Sequence, residues 1–226
     1  MSAVLAAALV GLLAGGIHVF AGADHLAAVA PLAARGRSGA WRTGFRWGLG
    51  HAGGVTIVGA AAIALEDALP IESMTSWSER LVGVILIGIG VWAATRALAA
   101  LRADRATADH VHDHAEGHGH GPHGQGHRHL HDARAALAVG LVHGTAGGGH
   151  ILGILPALAL PTRAAAIGYL VAFGVGTVVA MTTFSAAMGR VGRRASLGGR
   201  RAYAGLLGAC AAMSIAVGVW WLAVAR

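Results

Sequence analysis

Long apolar runs separated by short polar gaps dominate the chain. Six runs can be marked, approximately Val4 to Ala34, Trp47 to Leu65, Leu81 to Leu98, Ala135 to Leu160, Ala164 to Met188 and Tyr203 to Ala225. Each is near or above the ~20 residues that cross the hydrocarbon core of a bilayer as a helix. The pattern predicts an all-α polytopic membrane protein with six transmembrane helices. A secretory signal is the competing reading of the first run, with Ala21-Gly22-Ala23 as a small-residue cleavage site. No Lys or Arg precedes Arg35, however, and the apolar run continues past the cut, so a retained helix is the expectation.

The runs repeat. At an offset of 125 residues, His18, Ala21, Gly22, His25 and Pro31 meet His143, Ala146, Gly147, His150 and Pro156, a shared H-x-x-A-G-x-x-H-x5-P. An offset of 126 brings Trp47-Gly48-Leu49-Gly50 onto Phe173-Gly174-Val175-Gly176, and one of 128 brings Gly90-Val91-Trp92 onto Gly218-Val219-Trp220. Three helices per half force the halves into opposite orientations, which is a 3+3 inverted-topology repeat of the kind common among transporters. The expected organisation is a first repeat over 1–102, a His-rich loop over 103–133 and a second repeat over 134–226. The first and fourth runs, about 31 and 26 residues, would measure ~46 and ~39 Å as continuous helices. Both exceed the ~30 Å hydrocarbon core, and both hold glycine clusters (Gly15-Gly16 and Gly22; Gly144 and Gly147 to Gly149). Tilt, kinking or a local break is expected there, and interrupted helices at matching positions point to a binding site. The plainer use of these glycines is close helix packing.

Composition narrows the class. Hydrophobic residues make up 55% of the 226 and charged residues 12%, which excludes a disordered chain and disfavours a soluble fold. A single cysteine, Cys210, excludes an intramolecular disulfide framework. The formal charge of +7 comes from 17 arginines and no lysine. Fourteen of those arginines lie in the gaps after the first, third and fifth runs or, for Arg96, in the last residues of the third run, an arrangement of basic loops rather than a nucleic-acid surface. The positive-inside rule then places both termini outside, on the periplasmic side of an inner membrane, and the His-rich loop in the cytoplasm. Trp41, Trp47, Trp77, Trp92, Trp220 and Trp221 fall near run ends and are expected in the headgroup belt, without a chemical role.

Five of the fourteen histidines, His18, His25, His51, His143 and His150, fall inside apolar runs together with Asp24. A lone histidine there is most simply a hydrogen-bonded core residue. Five with a carboxylate are another matter, since an ionisable group in hydrocarbon costs ~2.5–3.5 kcal/mol on insertion scales and tends to mark an ion pathway. On a continuous helix His18 and His25 are two turns apart on one face, with Asp24 about 100° away, a geometry that a break at Gly22 would relax. Imidazoles with one carboxylate suit nickel, cobalt, zinc or iron rather than magnesium or calcium. All six residues are candidate metal ligands. Cys210, Met181, Met188 and Met213 are read as packing residues. Thr145, Thr177, Thr182 and Thr183 either support a pathway or bond back to their own helices.

The remaining nine histidines crowd residues 104 to 132, 29 positions rich in Gly and Asp that cannot bury a core and are expected to be disordered. Such tracts bind transition metals weakly at several sites, the alternative being an inert linker.

The residues H-V-F-A-G-A-D-H-L of the first run and L-G-H-A, Leu49 to Ala52, resemble the signatures of the nickel/cobalt transporter superfamily, particularly its NicO and urease-accessory permease-like branch. The resemblance covers nearly the whole chain. It implies a polytopic permease for nickel or cobalt in which His18, Asp24, His25 and His51 select the metal. The His-rich loop is similar to that of efflux members. Five residues separate His18 from Asp24 here, where the commonest signature has four, which turns His18 by about 100° on a continuous helix.

The expectation is therefore transport of Ni2+ or Co2+, with Zn2+ or Mn2+ as alternatives, through an intramembrane His/Asp site, without a prosthetic group. Metal binding requires neutral imidazole and ionised carboxylate, so proton-coupled exchange is a compatible energy source. No P-loop is present, since that motif needs a lysine. Partners are then the metal ion and the lipid bilayer, with a homo-oligomer open and nucleic acid excluded. Two rival readings are an intramembrane metalloenzyme, disfavoured because no H-E-x-x-H is present, and a metal-sensing or metal-delivering membrane subunit.

Overall fold

The first apolar run folds as two helices. In the computed structural model, which describes residues 2–35, 39–65, 71–109, 125–146, 156–157 and 159–224, α1 spans Ala3–Ala21 and α2 Ala23–Ala33. Ala and Leu give α1 high helix propensity, and the Ser2 hydroxyl accepts from the Leu5 N–H at 3.3 Å as its N-cap. Gly22 interrupts the helix with an extended backbone (φ −83°, ψ 100°), its N–H still bonded to the His18 carbonyl. The break anticipated at this glycine is present.

Five further helices follow: α3 over Trp41–Leu65, α4 over Ile71–Asp109, α5 over Gln125–Thr145, α6 over Arg163–Leu197 and α7 over Arg200–Val224. Among the described residues the fold is all-helical, and among them four helices are long and apolar enough to cross a membrane: Ala3–Ala21, Ser76–Arg102, Arg163–Leu197 and Arg200–Val224. Helices α4 and α5 run into the ends of the His-rich segment, over 104–109 and 125–132, so helix replaces the disorder expected there. The Ala/Arg stretch that precedes Asp109 is a good helix former and carries α4 onward. The expectation for residues 110–124 lies outside the described residues, as does the fourth run beyond α5, from 147 to 155.

Outward faces are apolar. Leu5, Leu9, Leu13 and Ile17 line one side of α1, and Ile167, Val171, Val175 and Val179 one side of α6, all exposed at i, i+4 spacing. In water such contiguous stripes would be an aggregation liability; against lipid tails they are the low-energy surface.

Between helices the packing is backbone against backbone. α1 lies on α6, where a Cβ on Gly15 would overlap the Phe173 carbonyl and one on Gly176 the Leu12 carbonyl. α3 lies on α5 in the same manner, with Gly50 against the Leu137 carbonyl and Gly140 against the Trp47 carbonyl. α4 and α7 meet at Gly83 and Gly218. Only glycine permits these approaches.

One polar bond ties α2 to α7. Pro31 inside α2 has no N–H, so the Ala27 carbonyl four residues earlier loses its helical donor. The buried Ser214 hydroxyl of α7 donates to that carbonyl at 2.8 Å, and also lies 2.9 Å from the Cys210 carbonyl of its own helix. The group that proline orphaned is thereby satisfied from outside the helix.

Candidate metal centre

Four elements bring their polar residues to one place. α1 supplies His18 from its last turn, and the break at Gly22 folds the chain so that Asp24 and His25 in the first turn of α2 turn back toward it. A Cβ on Gly22 would collide with the His25 ring, so any larger residue here would have to displace that ring. α3 brings His51, and the glycine seam between α3 and α5 draws in His143: a Cβ on Gly144 would overlap the His51 carbonyl.

Asp24 is the hub of the hydrogen bonds. His25 Nδ1 donates to its Oδ1 and His143 Nε2 donates to its Oδ2, each at 2.9 Å. The second bond joins residues 119 apart in sequence. With the side chain of Asp24 only 14% exposed and those of His25 and His143 almost fully buried, both carboxylate oxygens are bonded in a low-dielectric setting, where such bonds count most.

His25 is the hub of the rings. Its centroid lies 4.6 Å from His18, 4.9 Å from His51 and 5.1 Å from His143. Two groups of three have ligand atoms within 4.8 Å of one another and could hold a cation: His18, His25 and His51, and Asp24, His25 and His143. A tetrahedral metal with nitrogen ligands at ~2.05 Å wants those atoms about 3.4 Å apart, so small ring movements would close either group. Imidazole with one carboxylate is the donor set of borderline divalent metals.

Of the six residues expected to bind metal, His18, Asp24, His25, His51 and His143 are together. His150 lies outside the described residues.

Trp47 corrects the sequence reading. Expected at the headgroup level, it is fully buried and stacks on His51, with centroids 5.0 Å apart and planes 8° apart; it also lies 5.2 Å from His143 and 5.5 Å from His25. It forms an apolar wall of the site. The signal was available: Trp47 and His51 are four residues apart on one helix and therefore share a face. Position near a run's end outweighed that spacing, although α3 begins at Trp41 and sets Trp47 nearly two turns inside. Phe173 was passed over likewise and lies 5.5 Å from His18. Thr177 is fully buried, its hydroxyl bonded to the Phe173 carbonyl at 3.0 Å and reaching the Gly15 carbonyl at 3.4 Å. Thr182 and Thr145 bond back to Val178 and Val142, so backbone bonding describes all three.

Comparison with known proteins places the chain in a family. Two curated relatives are the chloroplast proteins FOR GROWTH AND FERTILITY 1 and 2 of Arabidopsis thaliana. They are 35% identical over 192 residues and 34% over 187, covering 82% of this chain in both cases and 50% and 48% of the relatives. The chain thus spans about half the length of these two. The urease accessory protein UreH of Bacillus sp. (strain TB-90) is 27% identical over 172 residues, 74% of this chain and 69% of its own. No solved structure matches. Residues 6–220 match the family described as the cytochrome c biogenesis protein transmembrane region. With four helices long and apolar enough to span, the chain is a membrane protein, and it belongs to that cytochrome c biogenesis transmembrane-region family.

Proposed function

We propose that the protein carries a divalent transition metal ion across the membrane, nickel or cobalt first, with zinc or manganese as lesser candidates. The observation that carries this reading is the convergence of four imidazoles and one carboxylate, drawn from helices of both halves of the chain, on one largely buried place. A soluble metal site would need no such placement within apolar helices; in lipid, ionisable residues gather where an ion passes. The relative named as a urease accessory protein favours nickel within that set.

A reading from another class is a thiol relay, in which a membrane domain passes electrons through a disulfide. Such a relay within one chain needs two cysteines. This chain has Cys210 alone, and it is buried in α7. A non-catalytic carrier is the better reading.

The architecture we propose is the six-span 3+3 inverted repeat. The seams support it pair by pair. Gly15 against Phe173 and Gly140 against Trp47 are related by the same offsets of 125 and 126 that align the sequence halves, as are Gly176 against Leu12 and Gly50 against Leu137. Gly90 against Ala211 and Gly218 against Gly83 follow the offset of 128. The arginine distribution favours termini outside an inner membrane and a cytoplasmic His-rich segment, and exchange of metal against protons supplies the driving force in this scheme.

The test is flux of Ni2+, Co2+, Zn2+ and Mn2+ into liposomes containing the purified protein, with Asp24→Asn and His25→Ala beside the wild type. Saturable flux of one metal, lost in both variants, is the expected result. No flux above empty liposomes for any of the four would overturn the reading.

A further inference from the structure

The metal centre contains more ligands than one cation needs, and they are not arranged symmetrically around one point. His25 belongs to both groups of three. The first group, His18, His25 and His51, is wholly imidazole and comes from α1, α2 and α3. The second, Asp24, His25 and His143, is anionic and reaches across to α5.

We infer that a single cation alternates between two adjoining positions that share His25 as a pivot, an all-imidazole position with His18 and His51 and a carboxylate position with Asp24 and His143. The inference rests on the metal-carrier reading and specifies how that site works.

Imidazole chemistry separates the two positions. With Nδ1 of His25 donating to Asp24, the ring's lone pair is on Nε2, on the far edge. A metal-binding histidine characteristically gives its other N–H to a carboxylate, which fixes its tautomer and raises its basicity. At the all-imidazole position Asp24 therefore acts through His25 and stays bonded to His143. At the carboxylate position Asp24 becomes a ligand itself, and the cation replaces its hydrogen bonds to His25 and His143. Each of these rings then changes tautomer, the proton passing from His25 Nδ1 to its Nε2 and from His143 Nε2 to its Nδ1, so that the freed nitrogens bind the metal. A cation at the carboxylate position thus takes the place of the bond that joins α2 to α5, while one at the all-imidazole position leaves that bond intact. Two divalent ions on opposite edges of one imidazole would repel strongly in a buried setting, so the positions fill one at a time.

The test is titration of the purified full-length protein in detergent with Co2+, whose visible absorption reports its ligands. Equilibrium dialysis supplies the stoichiometry. The expected wild-type result is one tightly bound Co2+ per chain, set apart by its affinity from weak uptake by the His-rich tract, with a spectrum that is a sum of two components. His51→Gln is expected to keep one Co2+ with only the carboxylate-position component, and His143→Gln to keep one with only the all-imidazole component. His25→Ala is expected to lose binding more than about a hundredfold. A single wild-type component, with His51→Gln and His143→Gln shifting spectrum and affinity alike, would overturn the two-position inference and leave the carrier intact. Two tightly bound Co2+ per chain, the second lost in His25→Ala, would overturn the alternation. Two components without flux in liposomes would overturn transport and leave the pivot standing, whereas no Co2+ bound by the folded wild type would overturn both. The wild-type spectrum decides between one component and two even where a glutamine variant fails to fold.

Discussion

Of the contacts between an imidazole and an aromatic ring among the described residues, two answer each other across the halves of the chain, His18 against Phe173 at 5.5 Å and His143 against Trp47 at 5.2 Å. The two contacts are counterparts: His18 and His143 are 125 residues apart, Trp47 and Phe173 126. One helical turn further along, the likeness ends. His51 stacks on Trp47 and faces the ligands, while its counterpart Thr177 spends its hydroxyl on the Phe173 and Gly15 carbonyls. The helix seams are thus repeated, whereas the candidate metal ligands are concentrated on the first half, with His143 as the second half's described contribution.

That comparison can be broken most severely at its hub. Removing the shared ring in His25→Ala, or the charge in Asp24→Asn, is expected to weaken Ni2+ binding by more than about a hundredfold in equilibrium dialysis. Unchanged binding in either would show that the cluster is structural. Next come the seams. Gly15→Leu and Gly140→Leu each force a side chain into a partner's carbonyl and are expected to cost about 1–3 kcal/mol or more in detergent unfolding. If the seams are equivalent, the two losses are similar; a loss in one alone argues against repetition.

A smaller effect is expected at Ser214→Ala, about 0.6 kcal/mol and at most ~1.7, the range of interhelical hydrogen bonds in membranes. The cost should largely vanish in a Pro31→Ala background, where the Ala27 carbonyl regains a helical donor, and a double-mutant cycle without coupling would sink that account. The mildest change is Trp47→Phe, which gives the first half the ring that the second already has. Flux is expected to persist, while the tryptophan fluorescence response to added metal disappears; a persisting response would assign it to another of the six tryptophans.

Much of this was legible in the chain. Apolar run lengths announced the long helices, and the glycine clusters announced close packing and the break at Gly22, because both follow from local rules about burial and backbone freedom. The site residues His18, Asp24, His25, His51 and His143 were legible as polar groups at an energetic disadvantage. Their division into two groups sharing His25 was not, since it depends on how α1 and α2 turn about Gly22 and on how closely α5 approaches α3. Trp47 and Phe173 were missed because an aromatic ring in an apolar run offers no contrast with its surroundings; only its neighbours give it a role. The bond from Ser214 to Ala27 needed a partner 187 residues away, a pairing that periodicity does not encode.

The interruption at Gly22 also gives the site two electrical poles. α1 ends there with its carbonyls, a partial negative charge, and α2 begins there with its N–H groups, a partial positive charge of roughly half an elementary unit. A cation is drawn to the first pole, and the Asp24 carboxylate, in the first turn of α2, is steadied by the second when no cation is near. Loaded and empty states are each supported by the same one-residue gap. In the carrier proposed above, support for both states narrows the free-energy step between them, as release of a bound ion requires.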